Sequence, residues 1–387
     1  ETDVSLAAGT LTITDVNGGA SDDNITFTTN GANLEIANTV PEFSVSGPGV
    51  TIVNPNTVSV PLANITNGII LNTLGGTDAF TLSDDLVLPG ASNSLEITGI
   101  ENYTQNGDLT IDGNVSISSS GAVVLGDIFT NGMLQVATDN SDISNVIGTA
   151  LSVIGTSEFT ITGIGNVSLS GNHNLVGGID ATCTNFSITG TPPTPWTLND
   201  IDADSGISVT NNSNGIILTG ELLTGPTDTI LLRSGGTAGI VQTGGRVAGG
   251  LLDLAAGGQN IDISEANNVM SDLRVQNANN VTYRDLFGLE ITGLQITGDF
   301  NLTTNGLTRT ATTFMTVDID GDIDIDAGAG NNINFQSTLN LGGLINLKGN
   351  IVILSGSSDS VWQLNDVTIA DSGEFVNNNN DITFNGD

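Results

Sequence analysis

"GDLTIDGNVSISSSGAVVLGD", residues 107–127, holds the repeating unit of this chain. Leu109 and Ile111 alternate with polar neighbours, "DGN" turns the chain, and Val115 and Ile117 follow. "SSSG" then turns it again before Val123 and Leu125. Successive side chains of a strand point to opposite faces, so each short run sends its apolar members one way. Gly, Asn and Ser suit the turns, where left-handed backbone and local side-chain hydrogen bonds are needed. "INFQSTLNLGGLINLKGNIVILSG", residues 333–356, repeats the pattern with the pairs Ile333/Phe335, Leu339/Leu341, Ile345/Leu347 and Ile351/Ile353. Helical spacing of apolar residues is nearly absent.

The unit recurs at a distance. "LEITG" begins at Leu95 and again at Leu289, each time followed by a spacer, a Gly-Asp and an alternating strand. Shorter echoes are "FTITGIGNVSLSG" from Phe159, "FSITG" from Phe186 and "DITFNGD" from Asp381. Imperfect repeats of about 20 residues indicate a solenoid. A β-sandwich would want longer strands and more aromatic residues than the 4% present. The expected fold is therefore all-β: a parallel β-helix solenoid, taken as right-handed, with coils about 4.8 Å apart. Apolar positions would stack above one another, and corner Asn residues would hydrogen-bond along the stack. Residues 1–90 read differently, as hairpin-like and richer in Pro, and form either capping coils or a separate small β-module. The β-helix proper is then expected over 91–387, with "TGTPPTPWTLNDIDADSG" making an irregular loop near 189–206.

Composition narrows the function. Among 387 residues there are 50 Gly, 42 Asp plus Glu and only 6 Lys plus Arg, a formal charge of −36. The first cation is Arg233, so residues 1–232 carry none. Nucleic-acid binding needs clustered cations and is set aside. An anionic membrane surface would repel the chain, and no apolar run is long enough to span one. The hydrophobic fraction of 38% is patterned, which argues against disorder. A cation-free stretch gives trypsin-like proteases nothing to cut, which suits an extracellular or cell-surface protein; a salt-adapted composition explains it equally well. Cys183 is the single cysteine, so neither an intrachain disulfide nor a Cys-based metal site is available. "ETDVSLAAG" has no signal-peptide features, so export would rely on a signal already removed or lying outside this sequence.

Two acidic runs stand out. "DIDGDIDIDAGAGNNINF", residues 318–335, spaces Asp318, Asp320, Asp322, Asp324 and Asp326 at two-residue intervals. A strand would put all five on one face, with Ile319, Ile323 and Ile325 opposite. Unpaired carboxylates cannot be buried, so they are exposed or bridged by cations, and Ca²⁺ suits an oxygen-rich site. Asp200, Asp202 and Asp204 in "DIDADSG" resemble a calcium loop, but Ser205 stands at the sixth position and Asn211 where a bidentate Glu belongs. Both runs are candidate Ca²⁺ sites; the plainer reading is a solvated acidic face with diffuse counterions. His173 reads as a coil-corner residue; a Ser-His-Asp triad would have to use this single histidine, and no nucleophile motif such as Gly-x-Ser-x-Gly accompanies it. Trp196 is the candidate ligand-binding residue, able to stack on a sugar, although packing against the solenoid is the commoner fate of a lone Trp. Asn114-Val-Ser and Asn301-Leu-Thr arise where a turn Asn precedes a Ser/Thr-rich strand, and are not read as glycosylation sites.

The Gly-Asp/Asn-[Ile/Leu/Val]-x-[Ile/Leu] coils at 107–127, 165–169, 298–302, 321–325 and 349–353 resemble the haemagglutination-activity repeats of large bacterial surface proteins. Filamentous-haemagglutinin-like adhesins and secreted matrix proteins carry such repeats. "TLGGTDAFTLSDDL", from Thr73, resembles repeat-rich exported proteins of aquatic bacteria. The resemblance spans about residues 95–387 and rests on degenerate coils. It implies secretion, a right-handed β-helix, and a role in adhesion or extracellular structure. The expected function is a non-enzymatic extracellular filament, sheath or adhesin stalk that self-associates head to tail. The alternatives are an adhesin that binds a cell-surface glycan, or a polysaccharide hydrolase using the Asp200–Asp204 group. A lyase would need cations that the first 232 residues lack.

Overall fold

Alternation becomes structure along nearly the whole chain: short strands follow one another, and among the described residues the only helical element is a single 3₁₀ turn at Leu62–Asn64. The computed structural model describes all residues except 17–20, 40, 41, 91, 266, 307, 311–315, 329, 359, 386 and 387, and at 309 and 337 the backbone alone. Strand pairing builds a parallel β-solenoid, described here as two compact units, Glu1–Gly190 and Thr191–Asp387.

In the first unit each coil contributes three strands to three ladders. Leu95, Val115 and Leu134 stack in register on one, Tyr103 and Val123 on the second, and Leu86, Leu109, Ile128 and Leu151 on the third. Successive coils thus advance by about 20 residues, the period expected of the repeats. The inward positions Leu109, Ile111, Val115, Ile117, Val123 and Leu125 are all buried. Aromatic rings also stack from coil to coil: Phe27 meets Phe80 edge-on at 4.9 Å, and Phe80 lies against Tyr103 at 5.4 Å.

The N-terminal segment closes this unit. Thr2–Ala7 and Thr10–Asp15 form one antiparallel hairpin, and Asn24–Asn30 and Asn33–Asn38 another, so the hairpin-like stretch is two hairpins. The glycines of its "NGGA" turn lie outside the described residues. Thr57–Pro61 adds a further antiparallel strand. Within this segment Thr2–Ser5 pairs in parallel with Phe43–Ser46, and the hairpins join the regular coils where Thr10–Asp15 meets Gly68–Asn72 and Asn24–Asn30 meets Ala79–Leu82. The regular run of coils is therefore entered near Gly68, ahead of residue 91, and the Pro-rich stretch before it belongs to strands that are themselves paired into the solenoid.

The second unit continues the same construction: Val281, Phe300, Ile323, Ile345 and Leu364 stack in register. Two expectations are corrected here. The loop foreseen near 189–206 is largely a strand, Trp196–Asn211, which pairs in turn with Ile216–Leu218, Leu222–Thr224 and Thr229–Ser234. Its alternation of Trp196, Leu198, Ile201 and Ala203 inward outweighs the prolines, which stop short at Pro195. Near the end, Val352 and Leu354 occupy the core and Ile351 and Ile353 do not. Val352 and Leu354 stand in register with the buried Ile333 and Phe335 of the preceding coil, which fixes the inward face.

Candidate functional site

The acidic residues are best understood from the corners. In the second unit Asn260 Oδ1 accepts the Asn280 N–H at 3.2 Å, and Asn280 Oδ1 accepts that of Asp299 at 2.8 Å. Asp299 Oδ1 in turn accepts the Asp322 N–H at 2.9 Å, and Asp322 Oδ1 that of Leu344 at 2.8 Å. Each corner side chain thus reaches the backbone of the next coil. The first unit does the same with Asp85 to Asp108 N–H (2.9 Å), Asp127 to Ala150 (2.7 Å) and Asp142 to Asn166 (2.7 Å). A carboxylate bound by an N–H is stabilised without a cation, which is how a stretch with no Lys or Arg carries so many acids.

The Gly of each Gly-Asp pair has a different task from the one expected. At Gly321 an added Cβ would lie 2.4 Å from the carbonyl carbon of Gly298, and at Gly107 it would lie 2.1 Å from the carbonyl carbon of Asp84. These glycines do not have left-handed backbone; they let one corner sit directly on the next.

The five-aspartate run is divided by such a corner. Asp318 lies on strand Thr316–Ile319, Asp320 and Asp322 flank the turn, and Asp324 and Asp326 lie on Ile323–Asp326. All point outward, with Ile319, Ile323 and Ile325 buried, but they do not form one strand face. Asp324 stands beside Asn301 and Asn346 on the adjacent coils. Asp326 pairs in register with Lys348, whose Nζ lies 2.7 Å away. Partial desolvation pushes the Asp326 carboxyl up, but hydrogen bonds from Lys348 and the Gly328 N–H, with the lysine charge, more than offset this and hold it below the usual range. Arg274 with Asp253 (2.8 Å) and Arg246 with Glu221 (3.3 Å) bridge neighbouring coils in the same way.

Asp200, Asp202 and Asp204 are exposed at alternate positions of one extended strand. Alternate residues of a strand stand about 6.6 Å apart, too far to wrap one ion as a loop does. Asp200 Oδ1 accepts the Glu221 N–H at 2.8 Å, another rung of the corner type. Among the described residues no group of three or more Asp, Glu, His or Cys side chains is placed to hold a metal ion. Where successive corner carboxylates do face one another, they strain against ionisation: Asp108 is raised by desolvation and then by the charges of Asp85 and Asp127.

The two remaining candidates lie inside. Trp196 is fully buried, which corrects its reading as a sugar platform: it stacks in register with Ile216 in the core. His173 is also fully buried, and its Nδ1 accepts the Leu151 N–H at 3.1 Å. Burial lowers its pKa to about 4, against a smaller upward pull from Asp127, so the ring is neutral at pH 7. Cys183 is buried too.

Sequence reasoning overlooked an outer groove of about 380 Å³ in the second unit, beside Phe287. The signal was available, since "DLFGLE" puts a bulky aromatic next to a turn glycine, between strands of regular alternation.

No family model, no curated protein and no solved structure matches the chain. No helix among the described residues is long and apolar enough to cross a membrane.

Proposed function

We propose that this protein is a non-enzymatic extracellular scaffold of the filament or adhesin-stalk kind that self-associates head to tail. The observation that carries the reading is the parallel solenoid itself: coil follows coil through backbone ladders in register, as from Val281 through Phe300, Ile323 and Ile345 to Leu364. Such a ladder is extended by any strand that adds to it in register, so the pairing that joins coils within the chain can also join copies. Secretion fits the cation-poor, protease-resistant composition and the resemblance to adhesin repeats. A hydrolase reading loses support, because the Asp200 carboxylate already accepts the Glu221 N–H, Asp202 and Asp204 stand exposed along the same strand, and the single imidazole is buried.

Sedimentation velocity and electron microscopy on the purified chain test this. Concentration-dependent end-on oligomers are expected. Particles that stay monomeric at high concentration and in high salt would remove the assembly claim. Release of reducing sugar from a polysaccharide panel would restore the enzyme reading.

A further inference from the structure

The geometry points to a binding site for an uncharged polysaccharide in the groove beside Phe287 on the Thr191–Asp387 unit. Most large aromatic side chains here are buried, including Trp196, Trp362, Tyr103 and Tyr283. Phe287 is 58% exposed and borders a groove of about 380 Å³ with Thr224, Pro226, Gly249, Met270 and Ser271. No lining residue is ionisable, an unusual patch on a molecule of charge −36.

The groove runs from coil to coil. Leu223 pairs with Ala248, and Gly249 with Met270, so the lining residues come from successive turns about 4.8 Å apart. Gly249 keeps it open: a Cβ there would lie 2.2 Å from Thr224 Oγ1.

The backbone that carries the ring is held by the interior. Asp285 is buried, and its Oδ1 accepts the Phe287 N–H at 2.8 Å. Its Oδ2 accepts the Met270 N–H at 3.0 Å and the Tyr283 hydroxyl at 2.9 Å. One buried carboxylate therefore positions the backbone of two lining residues, and the Thr304 hydroxyl donates to the Phe287 carbonyl. Fixing the main chain in advance lowers the backbone share of the ordering cost of binding.

An uncharged sugar ring offers a flat C–H surface and hydroxyls around its edge. The Phe287 ring matches the first, and the Thr224 and Ser271 hydroxyls with nearby peptide groups match the second. An acidic polysaccharide finds no cation in the groove and is repelled by the whole molecule. A lipid or apolar peptide would leave those hydroxyls unpaired. The lining residues fall between Thr224 and Gly288, and the site stands or falls independently of end-on assembly.

Calorimetry and saturation-transfer NMR with cellohexaose, laminarihexaose, maltohexaose and xylohexaose test it, with polygalacturonate as the charged control. At least one neutral oligosaccharide should bind, and polygalacturonate should not. Phe287→Ala should weaken binding by about tenfold or more, while Phe287→Trp retains it. Because the ring is largely outside the core, circular dichroism should show both variants folded. The inference is overturned if none of the four sugars binds, if Phe287→Ala binds as well as the parent, or if polygalacturonate binds at this groove. It is equally overturned if the groove takes up an apolar dye in a Phe287-dependent manner but no sugar.

Discussion

His173 is the residue whose surroundings most clearly couple it to pH. In the unfolded chain an imidazole titrates near 6.5, whereas burial holds this one near 4. Between those values the unfolded state takes up a proton that the folded state refuses, so this residue's contribution to stability is complete above about pH 6.5 and declines as pH falls through 4. At pH 5 the loss from this group is about 2 kcal/mol. Protonation of crowded carboxylates such as Asp108 works in the opposite sense, so the wild-type profile alone does not isolate the effect. His173→Asn keeps an acceptor for the Leu151 N–H and removes the titration. Urea unfolding at pH 7 and pH 5 should show the parent losing about 2 kcal/mol more than the variant; parallel losses would refute the assignment. The sequence placed His173 at a corner because Gly and Asn surround it, and it could not reveal that the ring turns inward.

At the level of the strand and its corner, the recurring Gly-Asp pair combines two demands. The glycine permits contact between stacked corners, and the carboxylate takes the next coil's N–H. If the acceptor and not the charge matters, Asp299→Asn should be tolerated, because an amide oxygen can still accept from Asp322. Asp299→Ala leaves that N–H without its partner and should cost about 1 kcal/mol in chemical denaturation. Equal destabilisation by both substitutions would show that charge was the important property. The strands themselves were legible, since alternation specifies which face is buried; the core pairs from Leu109 to Leu125 lie as the spacing required. What misled was local: a corner between Asp320 and Asp322 looks like uninterrupted alternation, and the prolines before Trp196 look like a loop. In both places the partner strand on the neighbouring coil decides, and a single segment does not carry that information.

For the whole molecule, −36 charges and few cations make long-range repulsion a standing cost of compactness. Most of these carboxylates are exposed, so screening should relieve it. The thermal midpoint should climb steadily as NaCl approaches about 1 M, where the screening length is about 3 Å. Ca²⁺ and Mg²⁺ at matched concentration should act alike; a saturable gain with Ca²⁺ alone would establish a specific site and reverse this reading. The fold was therefore readable from periodicity, while of the groove only the aromatic at Phe287 was signalled, because its walls come from turns far apart in the chain.

The ladders also set how a local defect spreads. Strand Leu344–Ser357 is paired on one edge with Ile323–Asp326 and Ile333–Leu341 and on the other with Trp362–Asn377. In an array where neighbours supply most of the support, loosening one turn weakens those on either side of it, and damage should travel along the stack turn by turn.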